Sequence, residues 1–365
     1  MANISPFRGW RYQTNLAKLL CPPYDIVSPK AAALLRRQPH NAAHLEIPAG
    51  TGAQRFHNAA KLWKKWTAQG ILRQDQQPSF YISEERFTFN GRPRKRTGFL
   101  AALDVRDPHI IQHERTLPKP KAERLSLLRK LRVNTSPIFG VFPDPDSRIR
   151  QILKRITKTP PSASTGKIRI WRVHDPKTIQ ALTKAVQNRD LLIADGHHRY
   201  NVSRLAGART VLAYLCPEQD PGLIVLPTHR IVARRGLAKQ AQKLCRITAC
   251  KSAAQLLRRL QSSRNPYAFG LKDQGLWLAE PNSARGCRSG LSVEWVERNL
   301  LQDAAREEIT YTPDARAALA TPSAIIIKPL TVSAVRLAAR RCGLLPPKTT
   351  YFFPKVFAGL VFKQL

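Results

Sequence analysis

Short apolar runs alternate with amphipathic stretches along the chain, and turn residues separate them. The sharpest change of polarity lies where Leu191-Leu192-Ile193-Ala194 runs directly into Asp195-Gly196-His197-His198-Arg199-Tyr200. An apolar run closed by Asp-Gly reads as a buried strand feeding a tight turn, with a helix continuing through Leu205. Further strands are expected at 80–82 and 86–89, paired with each other beside the Asn90-Gly91 turn signal. Others are expected at 98–105, 168–173, 211–215, 222–226 and 324–329, and 134–142 reads as a loop entering a buried strand. The alternation His44-Leu45-Glu46-Ile47 also reads as a strand, with both polar side chains on one face. Helices are expected at 30–37, with Ser28 as N-cap and Pro29 at the first position, and at 53–70. In the second, Phe56, Ala59, Ala60, Leu62, Trp63 and Trp66 form an apolar stripe and Gly70 closes the C-terminus. A third is expected at 176–188, with Ile179, Leu182 and Val186 on one face. This interleaving predicts an α/β chain of mixed sheets with flanking helices.

A chain of 365 residues suits two or three domains. The Pro/Ser/Thr-rich stretch 160–165 is the best internal linker. It divides the chain into an N-terminal region 1–158, a central region 166–232 with the Asp-Gly-His-His-Arg turn, and a C-terminal region 233–365; one continuous unit is the alternative. With 43% hydrophobic residues the chain can bury a core, which excludes wholesale disorder.

Charge changes the picture more than length does. Lys and Arg total 61 against 24 acids, a formal net charge of +37 with pI near 10.9. Such a surface attracts nucleic acid by Coulomb forces alone, so non-specific nucleic-acid binding is expected whatever the activity. The stretch 228–264 holds ten Lys/Arg and no acid, but its spacing reads as a solvated helix face and no known nucleic-acid motif accompanies it. The six cysteines are scattered without a Cys-x-x-Cys pair, which argues against a zinc ribbon or a disulfide scaffold. Met1 to Pro6 has no signal-peptide pattern, and no run approaches the roughly 18 apolar residues of a membrane span. A cytoplasmic protein without membrane partners is the expectation.

The candidate chemistry gathers at strand ends. A helix starting after Asp195-Gly196 would present its positive dipole end, and Arg199 adds a permanent cation, so the turn suits phosphate or carboxylate. The strand at 222–226 ends in Pro227-Thr228-His229-Arg230. Set beside the first, it would bring three histidines and two arginines to one mouth. His44 and Glu46 suit proton transfer or metal binding. His113-Glu114-Arg115-Thr116, followed by Arg124-Leu125, adds a second possible base, Glu114. The segment 346–355, with Lys348, Thr349, Thr350 and Lys355 among rigid prolines, reads as a strap folded back towards the site.

Read together, these motifs closely resemble one family. Pro22-Pro23-Tyr24-Asp25, Asn41-x-x-His44-Leu45-Glu46, His113-Glu114-Arg115-Thr116 with Arg124-Leu125, and Ser136-Pro137-Ile138-Phe139 occur in this order. Ile193 to Tyr200, Pro227 to Arg230, and Pro347 to Lys355 follow. They resemble the bacterial and archaeal family called domain of unknown function 1015, from about Pro6 to Val361, and that family name carries no settled activity. Asp195-Gly196-His197-His198-Arg199 also looks like the phosphate-binding box of the ParB/sulfiredoxin-like superfamily, and archaeal free-serine kinases of that group carry a similar sequence. The second resemblance covers five to ten residues. It implies a ParB/sulfiredoxin-like strand–turn–helix inside a larger elaborated chain. Gly196, His197, His198 and Arg199 would hold phosphates, with His229, Arg230 and Lys348 as companions. Asp195 would help to position Mg²⁺, and Glu46 or Glu114 would be the base, with Asp195 and His198 in the catalytic set.

Three readings follow. The first is a phosphotransferase-like enzyme using ATP/ADP and Mg²⁺ on a small hydroxylated or phosphorylated metabolite, serine or phosphoserine first. The second is a zinc- or manganese-dependent phosphatase or hydrolase with His113, His197, His198, His229 and Asp195 as ligands. The third is a nucleotide- or DNA-binding ParB-like regulator.

Overall fold

The structure is a computed structural model that describes residues 3–116, 118–187 and 189–365, without the side chains of 118–120 and 306. The first two residues, Leu117 of the charged loop and the expected helix end at Asn188 lie outside the described residues. The chain forms two compact units: Met1–Ile111 with Thr116–Ile224 and Pro354–Leu365, and Gln112–Arg115 with Val225–Phe353. The Pro/Ser/Thr-rich stretch contributes an edge strand, Ala163–Ser164, inside the first unit.

The first unit is built on a mixed nine-stranded sheet. Its strands are β1 (Ile4–Ser5), β2 (Phe80–Phe89), β3 (Arg92–Asp104), β4 (Ile110–Ile111), β5 (Ile138–Phe142), β6 (Ala163–Ser164), β7 (Ile168–Val173), β8 (Leu191–Asp195) and β9 (Thr210–Pro217). They run in the order β4-β8-β5-β9-β3-β2-β7-β6, with β1 against β3. The expected segments 80–82 and 86–89 are one strand rather than a pair. Asn90 and Gly91, both at positive φ (50° and 74°), turn it back onto β3. Apolar residues of β2, β3, β5, β7, β8 and β9 make one core with Ile149, Leu153, Leu182 and Val186. Those four lie on the helices Arg148–Ile156 and Pro176–Val186, whose apolar faces cover the sheet.

The remaining helices of the unit are α1 (Pro29–Arg36), α2 (Ala43–Glu46), α3 (Gln54–Ala68), α4 (Pro118–Leu131) and, after Asp195, α5 (His197–Leu205). Ser28 caps α1, with its Oγ accepting the Ala31 N–H at 3.2 Å. Trp63 on α3 meets Trp10 and Phe362 edge-on, at ring distances of 5.6 and 5.4 Å. The chain end thus packs into the N-terminal part of the unit, where Ala358 also exchanges backbone hydrogen bonds with Cys21.

The second unit holds a six-stranded antiparallel sheet in the order Cys245–Ala249, Leu276–Pro281, Phe269–Asp273, Ser323–Ile327, His229–Val232, Ile309–Thr312. Leu256 and Leu260 of the helix Ala253–Ser262 pack against Leu278, Ala324 and Ile326 to form its core. A separate ribbon pairs Ile224–Pro227 with Thr350–Phe353. Among the described residues, no helix is long and apolar enough to cross a membrane.

Candidate functional site

Asp195 is the last residue of β8, and a bulge between Ile193 and Asp195 shifts the register against β5 at that point. Bulges re-aim side chains. Gly196 follows at φ 88° and ψ 27°, caps α5 from the left-handed region, and accepts the Tyr200 N–H at 2.9 Å. A Cβ at Gly196 would sit 3.1 Å from the Arg199 guanidinium, so the arginine lies close over the turn because glycine leaves room for it.

Both oxygens of Asp195 meet cations. Lys355 Nζ stands 2.5 Å from Oδ1, and Arg199 Nη2 donates to Oδ2 at 2.7 Å. Burial pushes this carboxyl up, but Lys355 and Arg199 outweigh it and hold the group well below the usual carboxylate range. Arg199 is 8% exposed. Its Nη1 donates to the Pro137 carbonyl, while its Nε is buried without a hydrogen-bond partner. His197 is buried and adds a smaller contribution to the lowering of Asp195; His198 is half-buried.

Glu46 ends α2, which corrects the expected strand. Asn41 starts the helix: its Oδ1 accepts the Ala43 N–H at 2.8 Å, and its Nδ2 donates to the Lys18 and Leu20 carbonyls. At 100° per residue His44 and Glu46 point to different sides. His44 packs edge-on to Trp66 at 6.1 Å, whereas the Glu46 side chain is fully buried. Its Oε2 accepts from Arg124 Nη2 at 3.1 Å and from Thr135 Oγ1, and its Oε1 accepts from Ser136 Oγ at 3.0 Å. Arg124 also donates to the Glu46 carbonyl at 2.7 Å and lies 4.5 Å over the Tyr24 ring. Burial pushes the Tyr24 phenol up to about 12 despite Arg124 and Arg199 nearby. Asp25, Glu46 and Tyr24 all act on Arg199, after Asp195. A groove of about 350 Å³ opens beside Glu46, between Tyr24, Pro48, Phe56 and Arg124.

One unit therefore gathers Tyr24, Asp25, Glu46, Arg124, Thr135, Ser136, Asp195, Gly196, His197, Arg199 and Lys355. Glu114, His229, Arg230 and Lys348 belong to the other. The two strand ends expected to share a mouth are not sheet neighbours: β8 lies between β4 and β5, and Ile224–Pro227 pairs with Thr350–Phe353. His229 Nδ1 accepts the Ile327 N–H at 3.1 Å, and burial, then Arg230, lowers its pKa to about 4. Arg230 is fully buried on Glu297, 2.8 Å away, and on the Thr228 carbonyl, under the Tyr311 ring. All of these partners lie in the second unit. His113 is buried with Nε2 2.9 Å from Thr350 Oγ1, Glu114 bridges to Leu345, and Lys348 is exposed at φ 55°. Arg124, Thr135 and Ser136 had no assigned role in the sequence, although all three lie in or beside the quoted motifs.

The motifs gathered around Asp195 and Glu46 agree with a family match. The model described as Protein of unknown function (DUF1015) matches residues 4–292. The chain belongs to that family. The DUF1015 match takes in Glu46, Arg124 and the Asp195 turn and ends before Lys355. No curated protein matches the chain. Among solved structures, this DUF1015 chain is similar to a free serine kinase in complex with AMP, at 15% identity and TM-score 0.42, covering 69% of this chain and 86% of that one. It is also similar to C-terminally truncated SbnI from Staphylococcus aureus, at 11% identity and TM-score 0.44, covering 71% and 85%. A conserved hypothetical protein from Pyrococcus furiosus gives 15% identity and TM-score 0.40, covering 70% and 92%.

Proposed function

We propose that the Asp195–Arg199 turn binds the phosphates of a nucleotide or phosphorylated metabolite, and that the chain is a phosphotransferase-like enzyme acting on a small hydroxylated acceptor. The observation that carries this reading is the Lys355–Asp195–Arg199 ion triad at the start of α5, with Arg199 Nε buried and unpartnered. A buried donor without an acceptor is costly, and an anion at the helix start would satisfy it while meeting the positive dipole end. A phosphate would also offer Lys355 an alternative partner to Asp195. Glu46, fixed by Arg124, Thr135 and Ser136, is the positioned proton acceptor beside the groove, the role a hydroxyl acceptor needs.

Asp195 does not fit the expected Mg²⁺ ligand in this arrangement, since each of its oxygens faces a cation. Among the described residues no group of three His, Cys, Asp or Glu side chains is placed to hold a metal ion, which leaves the metallohydrolase reading without support.

Phosphorus NMR of ATP with small hydroxylated metabolites, serine first, tests the reaction. A new phosphoester resonance is expected with the wild-type protein, falling about 10²–10⁴-fold in rate in Glu46→Gln. Unshifted nucleotide resonances at saturating protein would refute the reading.

A further inference from the structure

A groove of about 1040 Å³ lies at the β2–β3 hairpin of the first unit. Arg86, Arg94, Lys95 and Lys167 line it, together with the rings of Phe87 and Phe357. Across the two strands Phe87 is opposite Arg94 on one face of the hairpin, and Arg86 is opposite Lys95 on the other, so cations border the groove from both faces of the ribbon. Among the described residues the one acid in the wall, Glu85, is neutralised by buried Arg96, whose Nη2 donates to it at 2.8 Å. Arg94 and Lys167 form no ion pair among the described residues. Lys95 and Arg86 share the single carboxylate of Glu84 with Arg169, so positive charge remains in excess there as well.

We infer that this groove is a binding site for single-stranded nucleic acid, separate from the Asp195 turn. Cations in excess of the acids around them, bordering one groove, match a phosphate backbone. The groove is larger than a small metabolite requires, and its wall includes two phenylalanines, the residue type on which unstacked bases stack. A duplex hides its base faces and would use the cations alone, so the aromatic lining favours a single strand. The segment after Pro354 serves both places: Lys355 meets Asp195, Phe357 lines the groove, and the Pro354 carbonyl accepts from Arg96 at 2.5 Å.

Fluorescence anisotropy of a labelled twelve-nucleotide oligo(dT), titrated with the full chain from low to roughly 0.2 M salt, tests the site. The double variant Arg94→Ala/Lys167→Ala should weaken binding at least about tenfold, and its log–log salt slope should be shallower by about 1.4, for two phosphate contacts. Phe357→Ala should weaken binding about tenfold with the slope unchanged. Arg258→Ala/Arg259→Ala, which removes the same charge from the helix Ala253–Ser262 of the second unit, should change affinity less than about twofold. Equal losses in the two double variants would mean that oligonucleotide meets the whole basic surface and would overturn the site. So would a matched duplex binding as tightly with no effect of Phe357→Ala. Binding to phosphatidylserine vesicles but not to oligo(dT) would assign the groove to membranes instead.

Discussion

At the scale of single residues, Gly196 and Asp195 set the terms. Gly196→Ala puts a side chain at φ 88° and a Cβ 3.1 Å from the Arg199 guanidinium. The backbone term alone costs about 1–2 kcal/mol, and the arginine must shift as well. Denaturant unfolding should show at least that loss, and phosphate affinity should fall with it. Acid titration separates the two units. His229, with its pKa lowered to about 4, stays neutral in the fold, whereas an unfolded histidine takes up its proton near ~6.5. Acidification across that window favours the unfolded state and should remove roughly 3 kcal/mol from the second unit. Asp195 works in the opposite direction, because its folded pKa is depressed. Its contribution is complete above the unfolded value near ~4 and is lost only as pH falls further. Hydrogen exchange followed from pH 7 to 3 should therefore show residues around His229 losing protection first and those around Asp195 later, with the first step absent in His229→Gln.

At the scale of elements, local pattern was a good guide wherever a turn or cap declared itself. Ser28-Pro29, Asn90-Gly91 and Asp195-Gly196 each mark a boundary that the fold uses, because each solves a local backbone problem. The pattern misled at 43–47, where two alternations of apolar and polar residues look the same as one helical turn. What decides that segment is Asn41, whose side chain ties the helix start to the Lys18 and Leu20 carbonyls far back in the sequence. Asn41→Ala removes three hydrogen bonds at a buried position and should cost about 2–4 kcal/mol. It should also loosen Glu46, which calorimetric unfolding together with the Glu46-dependent reaction rate would detect. The grip of Thr135, Ser136 and Arg124 on Glu46 was equally out of reach, since it depends on segments about 80 to 90 residues away.

At the scale of the whole molecule, the separated motifs divide between the two units. The Tyr24, Glu46, Arg124, Ser136 and Asp195 motifs meet in the first unit, joined by Lys355 from the chain end. His229 and Arg230, conspicuous in the sequence, are held by packing partners in the second. The net charge of +37 identified neither place; what it lacks as a guide to chemistry, the local excess of cations in the β2–β3 groove supplies.

The central claim is that the turn holds phosphate through Arg199 and Lys355. Isothermal titration of ADP, with inorganic phosphate in parallel, into wild type, Arg199→Lys and Lys355→Met tests it most directly, with folding checked by circular dichroism. Saturable binding to wild type is predicted, weakened at least about tenfold in both variants, since each loses one charge-assisted contact. Absence of binding to folded wild type, or equal affinity in all three proteins, would contradict it.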